Sequence, residues 1–212
     1  MTLLSGEMLS YTDGAELRFP VTLGDRGGAW NCKTIIQPGR GRRIITSTID
    51  RSCRSSLDVA ISFVAINAPR LRSWLTGGEM DSHSPGLYDW YPDIRLTFGD
   101  HDFMKKGPSG SACASVSLAV VLGHKQLVSC RQAITGTIDL RGRISSIGGV
   151  MGKVKTARDH NREMLIVPSS NLKELEESRY DGWPEERLCD VWQTSATRCL
   201  QLHGAVGVHC GR

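Results

Sequence analysis

Apolar residues along the chain fall into short alternating runs and longer helical stripes, and the two patterns take turns. Arg18–Leu23, Lys33–Gln37 and Arg43–Ile49 are rich in β-branched residues and read as strands. Pro38-Gly39-Arg40-Gly41 between the last two is turn chemistry, so that pair predicts an antiparallel hairpin. In Arg54–Asn67 the residues Leu57, Ile61 and Val64 recur at helical spacing beside Ala60 and Ala68, which predicts a helix stopped at Pro69. Thr76–Tyr88, rich in Gly, Ser and Asp and carrying Pro85, reads as a surface loop leading into a strand over Asp93–Phe98.

Gly99–Gly107 has no periodicity. After it, Gly110–Leu122 runs from small residues into Val116, Leu118, Val120, Val121 and Leu122 and closes at Gly123, the pattern of a buried helix that lets another backbone approach its N-terminal end. Gln132–Leu140 predicts a strand, Arg141-Gly142-Arg143 a turn and Ile144–Ile147 a short strand. Gly148-Gly149 ends that strand and opens a helix over Val150–Asp159. Glu163–Val167 is a strand stopped by Pro168, Asn171–Glu177 starts another helix, and beyond Arg179 the pattern weakens. Mixed strands and helices without repeats predict an α+β fold.

Composition narrows the class. The chain has 212 residues, 40% of them apolar and 23% charged, enough for one domain with a real core. Its longest apolar stretches, Leu57–Ala68 and Ala112–Leu122, fall short of the ~20 residues a membrane helix needs. The first residues lack a basic segment followed by an apolar one, so an intracellular location, cytoplasmic or organellar, is expected. Seven widely spaced cysteines without C-x-x-C or histidine at ligand spacing read as mostly free thiols, and no metal site is expected. A net charge of +4, mixed along the chain, argues against nucleic acid as a partner. The densest basic patch, Arg40-Gly41-Arg42-Arg43, reads as a solvated hairpin tip.

The chemistry concentrates at two glycine-led turns. Ser109 lies in Lys106-Gly107-Pro108-Ser109-Gly110, and Lys153 follows Ile147-Gly148-Gly149-Val150-Met151-Gly152. A hydroxyl on a tight turn and a lysine behind a double glycine supply what a serine–lysine dyad needs, a bare nucleophile and an amine to take its proton. A free lysine amine titrates near ~10.4, so a base working near neutrality has to be desolvated or set beside positive charge. Ile147, Val150 and Val154 are the apolar neighbours available for that. The helix beginning after Ser109 turns unpaired N–H groups toward it, where an oxyanion can be held. Taken singly, Ser109 reads as a helix N-cap, Lys153 as an exposed helix lysine and Thr135 as a strand residue. His101 and His124 lie in loops without a partner motif and read as solvated.

Gly107-Pro108-Ser109-Gly110, Ile134-Thr135-Gly136, Leu140-Arg141-Gly142-Arg143, Ile147-Gly148-Gly149-Val150-x-x-Lys153 and Ile166-Val167-Pro168, in this order and spacing, resemble the proteolytic domain of Lon proteases. Pro38-Gly39-Arg40-Gly41 and the helix near Ser55–Asn67 extend the resemblance upstream, so that it covers about Arg18 to Glu177. It implies a serine endopeptidase with a Ser-Lys dyad on a fold similar to the second domain of ribosomal protein S5. By that resemblance Ser109 is the nucleophile, Lys153 the general base and Thr135 the threonine whose hydroxyl supports them, with the backbone N–H groups of Ser109 and Gly110 holding the oxyanion. The domain is expected over 18–178, behind an N-terminal extension 1–17 and before a weakly matched segment 179–212.

The sequence departs from the family's pattern at several places. Lys106 stands where many Lon proteins have Asp, Thr137 where Glu is frequent, Gly110-Ser111 where Ala-Gly is usual, and Arg95-x-Thr97 where the family has His-x-His. No Gly-x-x-x-x-Gly-Lys-Ser/Thr is present, so no ATP site and no cofactor are expected in this chain. Family members usually carry an ATPase ahead of this domain. The expected substrates are therefore peptides or already unfolded proteins, the expected partners a separate ATPase and further copies in a ring of six. The alternative is a catalytically silent module of the same fold that binds a protein partner or RNA.

Overall fold

The computed structural model of the chain describes residues 21–23, 28–67, 91–99, 104–121, 132–162, 164–177, 188–189 and 205–209. Along them run β1 (Val21–Leu23), β2 (Ala29–Gly39), β3 (Arg43–Ile45), α1 (Arg51–Asn67), β4 (Tyr91–Phe98), α2 (Ser111–Val121), β5 (Gln132–Ile134), β6 (Thr137–Ile138) and β7 (Ile144–Ser145). Then come α3 (Val150–Asp159), β8 (Met164–Pro168), a 3₁₀ turn at Ser169–Asn171, α4 (Leu172–Glu177), β9 (Leu188–Cys189) and β10 (Ala205–His209). Helices and strands mix as the sequence predicts. Among the described residues one sheet has the order β3-β4-β2-β1-β5-β8-β10-β9, and β6 pairs with β7 beside it. The extension 1–17, the loop Thr76–Tyr88, His101 and His124 lie outside the described residues. Within 179–212, β10 adds antiparallel to β8 and β9 to β10, so part of that segment completes the sheet.

The period-two pattern explains why both faces of the sheet are covered. In β5 and β8 the side chains alternate between two cores, Ile134 and Ile166 joining one and Ala133, Leu165 and Val167 the other. The first core is closed by α1 and α2 through Leu57, Ile61, Val64, Val116 and Leu118, over Ile36 of β2 and Leu96 of β4. The second is closed by Val150, Val154 and Ala157 of α3. β5 and β8 run parallel, the arrangement that needs a layer on each side. All residues 111–119 of α2 are buried, and its polar members find partners: Ser117 donates to Cys32 O at 2.8 Å and shares a 2.7 Å bond with Thr34. No described helix is long and apolar enough to cross a membrane.

Two sequence expectations are corrected. Lys33–Gln37 and Arg43–Ile49 do not form a hairpin. β4 lies between them, antiparallel to β2 with Thr34 opposite Leu96, and parallel to β3 with Ile44 opposite Arg95. The cause is Asp93, fully buried at the start of β4, whose carboxylate takes the N–H groups of Arg40 and Arg42, both at 2.9 Å, and the Arg42 guanidinium at 2.9 and 2.6 Å. A buried carboxylate with four donors outweighs the local turn preference. Gln132–Leu140 is likewise two strands, β5 and β6, parted at Thr135-Gly136: Thr135 N–H still donates to Ile166 O of β8, whereas the Gly136 backbone pairs with Ser109 and Ala112 instead. Lesser differences are at the ends: β3 stops at Ile45, β7 at Ser145, and α1 starts at Arg51.

Candidate active site

The turn before α2 is shaped by Gly107 and Pro108. Gly107 has φ +81°, a conformation that favours glycine, and Pro108 fixes its own φ and has no N–H to offer. Ser109 comes next, partly buried, and its carbonyl is held from two sides: Gly136 N–H donates to it at 2.8 Å and the Thr135 hydroxyl at 3.3 Å. Ala112 N–H returns a bond to Gly136 O at 3.2 Å. Ser111 adds a third tie, its hydroxyl donating to Pro108 O at 3.0 Å and accepting from Ile138 N–H at 3.0 Å. These bonds lock the turn to the carboxyl end of β5. They also explain the strand break, because Gly136 turns its N–H to the Ser109 turn and its C=O to the helix. Among the described residues the N–H groups of Ser109 and Gly110 donate no hydrogen bond.

Lys153 comes from the other face of the sheet. Gly149, left-handed at φ 67°, is the N-cap of α3, and Lys153 N–H donates to its carbonyl at 3.1 Å, in the first turn of the helix as expected. The Lys153 side chain is 5% exposed, with Ile147, Val150 and Val154 also buried, so it is not the solvated helix lysine that its residue type alone suggests. Its Nζ lies 3.2 Å from Ser109 Oγ. The structure thus brings Ser109, Lys153, Thr135 and Gly110 together at one place. Ser109 Oγ meets the lysine, and Thr135 acts on the Ser109 main chain.

Two residues outside the expected set hold this place. Asn171 is buried and pairs with Ile147 as a backbone would, accepting its N–H at 3.0 Å and donating to its C=O at 2.9 Å, with Glu174 taking a further bond at 3.0 Å. This fixes the chain just ahead of Gly148-Gly149. Asn171→Ala leaves two buried main-chain groups unpaired, and a loss of about 2 kcal/mol is expected in urea unfolding. The other residue is Asp50 at the head of α1, whose Oδ1 accepts Cys53 N–H at 2.7 Å. Neither residue type signals such a role, because the partners are main-chain groups that no local pattern marks.

Other reactive groups among the described residues, three thiols and the basic patch, are buried or tied elsewhere. Cys32, Cys53 and Cys113 are free and buried, as expected of thiols without ligand spacing. Burial, with Asp50 adding to it, pushes the Cys53 thiol up to about 11, and burial drives Cys113 well above its ordinary range. Neither thiol is a ready nucleophile. In the basic patch Arg42 is bound to Asp93 and Arg43 lies 3.5 Å from Asp58. Lys106 is exposed, whereas Lys105 is buried with its amine 5.8 Å from the Trp30 ring centre.

Comparison with known proteins gives the family. The family model of the Lon protease (S16) C-terminal proteolytic domain matches residues 24–181. The chain is 28% identical over 151 residues to Lon protease 1 of Syntrophobacter fumaroxidans, covering 71% of this chain and 17% of that protein. It is 32% identical over 139 residues to a peroxisomal Lon protease homolog 2 of Danio rerio, covering 66% and 16%. With Lon protease of Xanthomonas oryzae it shares 30% over 143 residues, covering 68% and 15%. The fold and these relatives define the class, a protease domain of α+β build. Within that class the chain belongs to the Lon protease (S16) C-terminal proteolytic domain family. It spans about a sixth of the length of the curated relatives it matches.

Proposed function

We propose that this chain is a serine endopeptidase working through a dyad of Ser109 and Lys153. Lys153 Nζ takes the Ser109 hydroxyl proton as Oγ bonds to the peptide carbonyl carbon. The resulting oxyanion is held by the N–H groups of Ser109 and Gly110, each such donor contributing about 2.7–4 kcal/mol in serine hydrolases. The amine leaves with the proton from Lys153, and water then hydrolyses the acyl-enzyme through the same base. The 3.2 Å approach of a buried amine to the Ser109 hydroxyl is the observation that carries this reading. A dry surrounding favours the unprotonated amine that a base requires. Thr135 is a positioning residue that keeps the Ser109 carbonyl, and with it the turn, in place. The substrates are peptides and unfolded proteins, supplied by an ATPase not encoded in these residues. Assembly into a ring of six and kinship of the fold with the second domain of ribosomal protein S5 belong to the same reading.

A fluorophosphonate probe tests it. Covalent labelling of the wild type that vanishes in Ser109→Ala and in Lys153→Ala is expected, together with casein cleavage. A wild type that neither labels nor cleaves between pH 6 and 10 leaves the silent binding module as the better account, and a salt-sensitive shift with RNA would then identify its partner. Thr135→Val, nearly isosteric, removes one of two donors to the Ser109 carbonyl. Peptide turnover is expected to fall about 10-fold with the fold intact, a loss of roughly one hydrogen bond.

A further inference from the structure

Asp50 does more than cap α1. Gly107 N–H points at both of its carboxylate oxygens, at 3.3 Å to Oδ1 and 3.2 Å to Oδ2. The main chains leading to these groups are already paired: Lys105 N–H donates to Thr48 O at 2.9 Å, Asp50 N–H donates to Lys105 O at 3.0 Å, and Ile49 and Lys105 form a parallel bridge. The Asp50 carboxylate ends this short ladder two residues before Ser109.

The position of that bond matters because of the three residues after Gly107. Pro108 has no N–H, and the N–H groups of Ser109 and Gly110 are the donors an oxyanion needs. Gly107 N–H is therefore the nearest donor upstream of Ser109 that can anchor the turn without using an oxyanion donor. Downstream the turn is held redundantly, by Gly136, Thr135 and Ser111. Upstream, past the paired main chain, the Asp50 side chain takes Gly107 N–H. Among the described residues nothing beyond the chain neighbours lies within 4 Å of the place where a Gly107 Cβ would stand, so packing from them does not fix the pivot there.

We propose that Asp50 is a positioning residue for the nucleophile: its grip on Gly107 N–H sets the Lys106–Gly110 turn so that Ser109 Oγ stands against Lys153 Nζ. The proposal rests on the reading of Ser109 as nucleophile. Asp50→Ser separates its two jobs. Serine is among the preferred N-cap residues, so Cys53 N–H keeps an acceptor, while the shorter side chain does not span to Gly107.

The test compares wild type and Asp50→Ser by hydrogen exchange at the Gly107 amide, by the rate of fluorophosphonate labelling, and by peptide kinetics. Gly107 exchange is expected to quicken and labelling to slow, each about 10-fold, with kcat reduced, KM unchanged and the thermal midpoint within a few degrees, the loss of one charge-assisted bond. A wild type that labels and an Asp50→Ser variant that labels at the same rate would overturn the positioning role and leave the Ser109 reading standing. So would unchanged Gly107 exchange, or a slowing matched by an equal loss of folded protein. A wild type that does not label at all removes the Ser109 reading, and the positioning role with it.

Discussion

Lys153→Met is expected to abolish peptide turnover while raising the thermal midpoint. The two effects together separate a working base from a structural lysine. Methionine is apolar and of similar length, so at a site 5% exposed it leaves no cavity. What it removes is an amine that has given up most of its hydration, which apolar packing replaces at a gain of roughly 1–2 kcal/mol, or about 2–8 °C for a chain of this size. Turnover should drop on the order of 10⁴-fold or more if Ser109 and Lys153 are the proposed dyad, because a nucleophile and its base act as a unit. For the same reason Ser109→Ala combined with Lys153→Met should be no slower than either alone. Scanning fluorimetry and peptide hydrolysis on the four proteins decide it. A lysine held only for stability would show the opposite, a lower midpoint and turnover close to wild type.

The elements that build the site were legible because their signals are local. α3 starts and ends at Val150 and Asp159, as its glycine opening and helical spacing predict. The turn at Ser109 and the buried α2 behind it arise from Gly, Pro and a run of small residues. The pairing of Ser109 with Lys153 is not local, and it emerged from several motifs agreeing in order. The rest depends on single polar residues whose partners are main-chain groups elsewhere in the chain. Asp93 binds a loop more than fifty residues upstream and so puts β4 between β2 and β3, an outcome that the turn chemistry of Pro38–Gly41 cannot reveal. Asn171 and Asp50 are ordinary helix-start residues by type, yet one fixes the approach to Lys153 and the other reaches the turn before Ser109. Gly136 looks like mid-strand until Ser109 and Ala112 claim its hydrogen bonds.

Asp93→Asn should be strongly destabilising at neutral pH and nearly silent in acid. The Arg42 guanidinium bonded to the Asp93 carboxylate, helped by the Arg40 and Arg42 N–H groups, holds the acid down at about 2 against an ordinary 3.8, although burial works the other way. A carboxyl held low in the folded chain stabilises it wherever the unfolded chain would also be ionised. That contribution is complete above about pH 4 and disappears as pH falls through about 2, where the native carboxylate gains its proton. Asparagine turns an NH₂ toward the same donors, leaving buried groups in conflict, for an expected cost of about 3 kcal/mol. The discount for Arg42 is real, since its side chain is 62% exposed and can return to water. Thermal midpoints of wild type and variant should therefore lie apart by several degrees from pH 5 to 7 and converge between pH 4 and 2. A gap that stays constant to pH 2 would mean that shape rather than charge holds the loop. Because β3 leads through Thr48 and Asp50 to the turn at Gly107, loosening the sheet edge should reach the nucleophile as well. Slower labelling of Ser109 in Asp93→Asn, at temperatures where the variant is still folded, is the sign of it.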